Sequence, residues 1–351
     1  MSGLGTVLLV VIFLAGAAIT WAAGVFLSKT TDSLDERLHL GSAVGGMVLL
    51  AVAGSLPEAA ITVSAALAGH LDIAAGNIAG GIAMQTMVLV ICDAFVTGDK
   101  PLSFLVGSLI PVLEAALVIV TVSVVLMGTL LPASVAFAGV SPASVFVIVV
   151  WVLGMYMLNK VRNSPKWQIT MPGSKPGRPH RRAPHPARVH PYAHLKVKGV
   201  WAIFAAACAV TLIGGVALQM SGSELASRAG INGVIFGATF LALASALPEI
   251  SSGIAAVRLG DHQLVMGDIF GGNAFQLCLF LVADLIAGKP AMPASGMPNT
   301  WLAGLGIVLT AIYAVSVVLR PERRLARIGI DSVIAVGIFV IGLVGLFAIP
   351  T

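Results

Sequence analysis

The sequence predicts an all-α protein that crosses a membrane many times. Of its 351 residues, 58% are hydrophobic and only 10% are charged, and the mean hydropathy is +1.00. Soluble proteins carry about 25% charged residues. Apolar segments also recur along the whole chain, many of them close to the about 20 residues that a helix needs to cross about 30 Å of hydrocarbon. We therefore expect an integral, multi-pass membrane protein surrounded by lipid.

Ten apolar segments are candidate membrane spans. They cover residues 5–28, 41–68, 72–97, 103–128, 132–158, 198–219, 230–258, 263–287, 300–319 and 328–349. The first is longer than the apolar core of a secretory signal and has no Lys or Arg before it, so it is interpreted as a retained span. Cys92, Cys208 and Cys278 lie inside such segments without CxxC spacing, which argues against a metal site or a disulfide framework.

A basic segment separates two halves, residues 1–158 and 198–351, through a linker at 159–197. Residues 159–198 hold ten of the twenty basic residues and no acidic residue, so the positive-inside rule places the linker in the cytoplasm. Its proline, arginine and histidine content favours an extended, solvated segment. Attraction to anionic lipid is the favoured interaction, and no nucleic-acid partner is expected. A metal- or pH-sensing role for its four histidines is the alternative to a plain solvated loop.

The two halves contain a repeated motif. Residues 55–85 of the first motif (54–85) align without gaps on residues 246–276 of the second motif (244–276) at a constant offset of 191, which matches Leu56-Pro57-Glu58 with Leu247-Pro248-Glu249. The same offset matches GNIAGGIAMQ with GDIFGGNAFQ. Because each half has five expected spans, the second copy enters the membrane from the opposite side. The predicted fold is therefore ten transmembrane helices in two inverted five-helix repeats, with a site at the membrane midplane between them.

A Pro-Glu pair interrupts one span of each half. Pro57 and Pro248 each remove a backbone donor, and the carbonyl that is freed is tolerated in lipid only where it faces protein, water or an ion. Glu58 and Glu249 are costly in hydrocarbon and supply the hard oxygen ligands that Ca²⁺ prefers. Two uncompensated carboxylates would repel each other, so a cation or a proton must occupy the site. The motifs thus predict a mid-membrane metal site on these two glutamates.

Neutral oxygens near the two motifs extend this candidate cation site. Ser55 and Ser245 offer hydroxyl groups, and Gln85 and Gln276 offer amide oxygens. The glycines between these residues would let the helices approach closely.

Other polar residues in the spans have different expected roles. Asn77 and Asp268 occupy matched positions about two helical turns before the glutamines and are candidates for an access path. Asp93 and Asp284, near span ends, are expected to have a capping or interfacial role rather than to bind ions. Glu114 has no acidic counterpart and is a candidate for a proton path.

The motifs resemble those of the Ca²⁺:cation antiporter superfamily, in the sodium/calcium exchanger membrane-region family. That family carries G-[ST]-S-x-P-E followed by G-N-x-x-G-S-N-x-x-[ND], and here the patterns read GSLPE with GNIAGGIAMQ and ASALPE with GDIFGGNAFQ. The resemblance implies a ten-helix transporter in which the second, third, seventh and eighth helices surround the ions. It also implies that the first and sixth helices slide past that core. Glu58 and Glu249 fall on the acidic ligands, and Ser55 and Ser245 fall on hydroxyl positions.

The chain departs from the family pattern within both motifs. The serine of the family is glycine at 81 and 272, its closing Asn or Asp is glutamine at 85 and 276, and Gly54 and Ala246 replace hydroxyl residues. Exchangers of several Na⁺ for one Ca²⁺ have a further carboxylate where this chain has the neutral Gln276. Two glutamates neutralise one divalent cation, two Na⁺ or two protons, which favours Ca²⁺/H⁺ exchange or another electroneutral scheme.

The expected function is a secondary active antiporter that exchanges Ca²⁺ for H⁺ or Na⁺ by alternating access, in a prokaryotic plasma membrane. Transported Ca²⁺, Na⁺ or H⁺ are its expected ligands, without a cofactor. A Na⁺/H⁺ antiporter on the same scaffold is the alternative, and a channel or scaffold is a weaker one. An intramembrane enzyme with a carboxyl dyad is a remote alternative, because no HExxH, GxSxG or P-loop motif is present.

Overall fold

The computed structural model describes residues 3–38, 52, 54–163, 192, 194–231 and 233–349. The start of the second expected span, most of the basic linker and three of its four histidines lie outside these residues. Within them the regular structure is helical apart from one two-stranded hairpin and an isolated bridge, which confirms the predicted all-α class.

The helices follow the expected spans in order. They are α1 (Thr6–Leu38), α2 (Leu56–Leu67), α3 (Leu71–Ala94), α4 (Leu102–Leu105), α5 (Ile110–Thr129), α6 (Pro142–Asn163), α7 (Val197–Ala229), α8 (Gly233–Ser245), α9 (Leu247–Arg258), α10 (His262–Ala287), α11 (Gly296–Leu319) and α12 (Ile330–Leu346). A short 3₁₀ turn covers Ala133–Val135. Strands β1 (Arg324–Leu325) and β2 (Ile328–Gly329) pair in antiparallel fashion before α12.

Within the described residues, seven helices are long and apolar enough to cross a membrane, and α8 with α9 would form an eighth span bent by 45°. Helices α2 and α12 are apolar but shorter. Every expected span contains one of these helices, so the count of ten fits the structure and stays a prediction. Two spans start later than expected, at Ile110 and Pro142, because the apolar residues before them form the single turn α4 and a bridge between Phe137 and Val140.

Helix α3 lies at the centre of the protein. Of its span, 83% is buried, compared with 28% for α7. Its glycines permit close packing against α8: a Cβ at Gly76 would lie 3.2 Å from backbone atoms of Val234, and a Cβ at Gly80 would collide with Ala238. The turn of α8 that contains Ala238 is a π-helical stretch, Gly237–Leu241, and such stretches often occur at functional sites.

The two longest helices, α1 and α7, pack along each other and cross the broken spans. Gly24 of α1 lies against the ring of Pro248, where an added Cβ would come within 2.5 Å. Gly215 of α7, at the matching offset of 191, lies against the first turn of α2, where an added Cβ would collide with Ala60 and lie 3.1 Å from the Pro57 carbonyl oxygen. Each long helix therefore meets the Pro-Glu break of the other half at a glycine.

The carboxylates of Asp93 and Asp284 accept hydrogen bonds that connect helix ends to neighbouring loops. Each carboxylate accepts two backbone N–H bonds and one serine hydroxyl bond. The donors are Leu102 N (2.7 Å), Gly329 N (2.6 Å) and Ser332 Oγ (2.7 Å) for Asp93, and Ala291 N (2.7 Å), Ser141 N (2.9 Å) and Ser144 Oγ (2.7 Å) for Asp284. These bonds give both residues the capping role that the sequence predicts.

The end of α1 is tied to the chain that enters α7. The Arg37 guanidinium donates to the carbonyl oxygen of Leu195 at 2.7 Å and to that of Tyr192 at 2.6 Å. Hydrogen bonds from a charged donor are stronger than neutral ones. Arg37 therefore connects the two long helices through the last turn before α7.

Candidate functional site

Glu58 lies in the first turn of α2, directly after Pro57, and is 1% exposed. Its Oε1 accepts a hydrogen bond from Gln85 Nε2 at 3.0 Å. The Ser245 hydroxyl, which donates to the Ala242 carbonyl at 3.1 Å, lies beside the same carboxylate. Among the described residues, Glu58 Oε2 has no hydrogen-bond partner. One oxygen of this carboxylate is therefore available for a cation or a proton.

Glu249 occupies the matched position in α9 and is 8% exposed. Its Oε2 also has no hydrogen-bond partner in the described part of the chain. Glu249 lies within electrostatic range of Glu58 and of Asp268. The structure thus places the two motif glutamates, one from each half, in one buried region.

A small cavity of about 30 Å³ reaches Glu249. Its walls include Pro57 and Pro248, the side chains of Ser252 and Asp268, and one face of α1. A cavity of this size has room for a water molecule or a small cation. The second motif contributes the carboxylates of Glu249 and Asp268 and the Ser252 hydroxyl to this lining, and α1 contributes the Ser28 hydroxyl.

Asn77 and Asp268 are not equivalent, although the repeat matches them. Asn77 is fully buried, and its Nδ2 donates to the Glu58 carbonyl oxygen at 3.4 Å. Asp268 Oδ2 accepts from Ser252 Oγ at 3.4 Å, and this hydroxyl also donates to the Glu249 carbonyl oxygen at 3.2 Å. Asp268 therefore lines the cavity, as an access path requires, whereas Asn77 packs behind Glu58.

The two glutamines also make different contacts. Gln85 binds Glu58, whereas Gln276 Nε2 donates to the backbone carbonyl oxygens of Asn77 at 3.1 Å and Ile78 at 3.3 Å. Gln276 is fully buried, and its Oε1 lacks a hydrogen-bond partner among the described residues. Ser55, the last candidate ligand, is buried just before α2, and its carbonyl accepts from Ala59 N at 2.9 Å.

Asn273 is a candidate site residue that the sequence analysis missed. It is fully buried in α10, and neither of its amide atoms has a hydrogen-bond partner within the described ranges. Comparison of the halves did not point to it, because its counterpart is Ile82. The available signal was the second motif itself, since an intramembrane polar residue is a functional candidate and GGN retains the asparagine of the family's GSN.

Glu114 is paired with a basic residue. Its Oε1 accepts from Arg162 at the end of α6, and the carboxylate is 3% exposed. Its Oε2 lies 3.2 Å from the position of a Cβ at Gly267. This arrangement indicates a structural contact between α5, α6 and α10.

No group of three or more His, Cys, Asp or Glu residues is placed to hold a metal ion in the described part of the chain. Ca²⁺ takes six to eight oxygen ligands, which include neutral carbonyl and amide oxygens and water. A Ca²⁺ ion held by the two glutamates would therefore depend on the neutral oxygens of α3 and α10.

Comparison with known proteins matches this chain to a family model and to bacterial membrane proteins. The family model described as "Sodium/calcium exchanger protein" matches residues 8–155 and 199–348. CaxA of Alkalimonas amylolytica, named as a candidate antiporter, is 23% identical over 335 residues, which cover 88% of this chain and 90% of that protein. The inner membrane protein YrbG of Escherichia coli strain K12 is 33% identical over 72 residues, or 20% of each chain.

Two solved structures have the same architecture. The crystal structure of the H⁺/Ca²⁺ exchanger CAX superposes with a TM-score of 0.70 at 15% identity, covering 98% of this chain and 82% of that one. The sodium-calcium exchanger NCX_Mj superposes with a TM-score of 0.60 at 15% identity, covering 97% and 99%. This likeness confirms the predicted fold class.

Proposed function

Because the chain belongs to the sodium/calcium exchanger protein family, we propose that it exchanges Ca²⁺ for H⁺, with Na⁺ as the other candidate coupling ion, by alternating access. The transporter class excludes the enzyme alternative. One observation carries the proposal: two buried glutamates from opposite halves lie in electrostatic range of each other, and each has a carboxylate oxygen without a hydrogen-bond partner among the described residues. Removing such a pair from water is unfavourable unless positive charge joins it.

Further buried oxygens lie on α3 and α10, the helices that follow the two glutamates along the chain. Asn77 Oδ1, Asn273 Oδ1 and Gln276 Oε1 lack hydrogen-bond partners within the described ranges, as do Glu58 Oε2 and Glu249 Oε2. A buried oxygen without a partner costs about 1–3 kcal/mol, and a cation that accepts these lone pairs removes the cost. This set of carboxylate and amide oxygens is the kind that Ca²⁺ uses.

The charge of the site supports protons as the coupling ion. Glu58 and Glu249 together carry two negative charges, which one Ca²⁺ or two protons neutralise equally. Gln276 adds no charge at the position where the family's sodium-coupled members have a carboxylate. Exchange of one Ca²⁺ for two protons would therefore leave this pair of glutamates neutralised in both transport states.

The orientation of the cavity follows from the predicted topology. If the 159–197 linker is cytoplasmic in a prokaryotic plasma membrane, α7 runs outward, α8 and α9 run inward, and the turn at 259–261 faces the cytoplasm. Ser252 and Asp268 then lie on the cytoplasmic side of Glu249. We infer that Asp268 attracts cations into the cavity from that side.

The test is ⁴⁵Ca²⁺ uptake into proteoliposomes under an imposed pH gradient or an imposed Na⁺ gradient. We expect uptake under the pH gradient, reduced at least about tenfold in Glu58→Gln and Glu249→Gln. Glu322→Gln is the matched control, because the Glu322 side chain is 65% exposed and lies outside the spans. Uptake under the Na⁺ gradient alone would make Na⁺ the coupling ion.

The absence of three clustered acidic ligands in the described chain favours one second candidate, a Na⁺/H⁺ antiporter. No ⁴⁵Ca²⁺ uptake under either gradient would rule out the calcium proposal. Na⁺-induced proton efflux that is insensitive to Ca²⁺, measured with a pH-sensitive dye, would then support the second candidate.

A further inference from the structure

The cavity that reaches Glu249 has a counterpart in the other half of the protein, and that counterpart is closed. Three polar residues of the cavity lining are partly exposed, namely Ser28, Ser252 and Asp268. The residues that match them at the offset of 191 are buried, with at most 2% of each residue exposed, namely Gln219, Ile61 and Asn77. The path between α1 and α9 is therefore open, and the matched path between α7 and α2 is filled.

A hydrogen bond crosses the closed path. Ser64 Oγ of α2 donates to Gln219 Oε1 of α7 at 2.9 Å, and Gln219 Nε2 donates to Ser223 Oγ in the next turn of α7 at 2.9 Å. Both polar atoms of this buried amide are thus paired. Ser64 follows Glu58 by six residues, about 9 Å along the helix. The bond therefore joins α2 to α7 beyond the glutamate.

Aromatic packing closes the same half of the protein. The ring of Phe13 in α1 meets the ring of Phe236 in α8 edge to face, with the ring centroids 5.8 Å apart. Gly222 of α7 lies against the Phe236 ring, where an added Cβ would come within 2.6 Å. Both long helices therefore contact the inner helices on this side of the glutamates.

The open path cannot form the same hydrogen bond when it closes. The counterpart of Ser64 is Ala255, which is exposed and has no polar side chain, and the counterpart of Gln219 is the shorter Ser28. An interaction shifts an equilibrium between two conformations only if it differs between them. The Ser64–Gln219 bond meets this condition, because the repeat supplies no equivalent bond to the opposite conformation.

We propose that Gln219 is a positioning residue for alternating access, whose bond to Ser64 keeps the path on the α7 side closed and favours the conformation in which the cavity reaches Glu249. In the predicted topology this conformation faces the cytoplasm. The inference rests on the proposed transport cycle and deepens it. Hydrogen bonds between side chains of membrane helices change such an equilibrium by about threefold on average and by up to about twentyfold.

The test measures how fast a water-soluble maleimide labels one thiol on each path. The reporters are Ile61→Cys on the closed path and Ser252→Cys in the open cavity, each in a protein whose three native cysteines are replaced by alanine. Purified protein in detergent is labelled without Ca²⁺ or Na⁺. Adding Ser64→Ala should raise the labelling rate at position 61 by about three- to twentyfold, with an unchanged or lower rate at position 252.

The two reporters separate a shift of conformation from a loss of stability. A shift opens one path as it closes the other, whereas a loosened protein exposes both thiols. Ser123→Ala is the matched control and should change neither rate, because the Ser123 hydroxyl donates to the Ile119 carbonyl oxygen of its own helix at 2.7 Å. Gln219→Leu removes the acceptor at similar size and should reproduce Ser64→Ala.

An unchanged rate at position 61, or an equal rise at both positions, would overturn the proposal. If Ser64→Ala does not fold, Gln219→Leu decides by the same two rates. These outcomes are separable from the transport test: wild type without ⁴⁵Ca²⁺ uptake would refute the proposed function, while the labelling rates would still decide the role of Gln219.

Discussion

Replacement of Arg162 with alanine is expected to destabilise the protein strongly. Glu114 is 3% exposed, and its bond to Arg162 is the ion pair that compensates its charge. Removing one partner of a buried ion pair costs about 3–5 kcal/mol, because the other charge stays buried without compensation. Arg162 is 33% exposed, so water can reach the vacated position, and we expect the lower end of that range.

The repeat identifies the compensating substitution. At an offset of 191, Glu114 corresponds to Leu305, which is 7% exposed. The second half thus fills the matched position with an apolar side chain. Replacing a buried ion pair by apolar residues is often neutral or stabilising. Glu114→Leu combined with Arg162→Ala should therefore recover most of the stability lost in Arg162→Ala.

Thermal unfolding in detergent micelles measures both variants. At about 2–4 °C per kcal/mol for domains of 150–250 residues, a loss of about 3 kcal/mol lowers the unfolding temperature by about 6–12 °C. The double variant should unfold within about 2 °C of wild type. The reasoning is refuted if Arg162→Ala unfolds like wild type, or if the double variant is no more stable than the single one. Retained ⁴⁵Ca²⁺ uptake by the double variant would remove Glu114 from the proton path, whereas loss of uptake in a stable protein would place it there.

Three further variants test the packing and the helix connections. Gly80→Ala should destabilise the folded protein by about 1–3 kcal/mol through overpacking. Gly271→Ala is the matched control, because no heavy atom lies within 4 Å of the added Cβ, and it should be neutral or slightly stabilising. Equal unfolding temperatures of the two variants would contradict this packing. Asp284→Ala leaves buried donors without their acceptor, and each donor that water does not reach should lower the stability by about 1–3 kcal/mol. An unfolding temperature equal to that of wild type would show that these hydrogen bonds are dispensable. Arg37→Ala frees the turn before α7, so trypsin should cleave at Lys196 several times faster than in wild type, and an unchanged rate would show that Arg37 does not hold that turn.

Hydropathy predicted where the helices are, but it did not predict all of their ends. Each of the ten apolar segments contains a helix, because lipid excludes unpaired backbone groups and leaves the helix as the available structure. The ends were wrong at Leu102–Leu105 and near Phe137, where apolar residues form turns. Hydropathy measures compatibility with lipid, and it does not indicate at which residue an apolar segment leaves the helical hydrogen-bonding pattern.

The motif repeat predicted the glutamates but not the directions of their neighbours. Glu58 and Glu249 were found because a carboxylate next to proline in a span is rare and here occurs twice. The direction of Gln276 depends on the absence of a side chain at Gly81, which is 195 positions away along the chain. Asn273 was missed because its counterpart, Ile82, is apolar. Comparison of the halves identifies polar residues that occur in both, and it does not identify a polar residue that occurs in only one.

Helices α1 and α7 are buried by protein over only a small part of their length, and this determines the free-energy cost of moving the pair. Only 33% of the α1 span and 28% of the α7 span are buried by protein, so most of their surface faces hydrocarbon tails. Displacing that surface exchanges one set of tails for another, and apolar side chains gain little from either. The resistance to movement therefore comes from contacts with the inner helices, which include the Ser64–Gln219 hydrogen bond and the Phe13–Phe236 ring contact. At the two Pro-Glu breaks the long helices contribute only glycine backbone, at Gly24 and Gly215, which offers little for the opposing helix to interlock with.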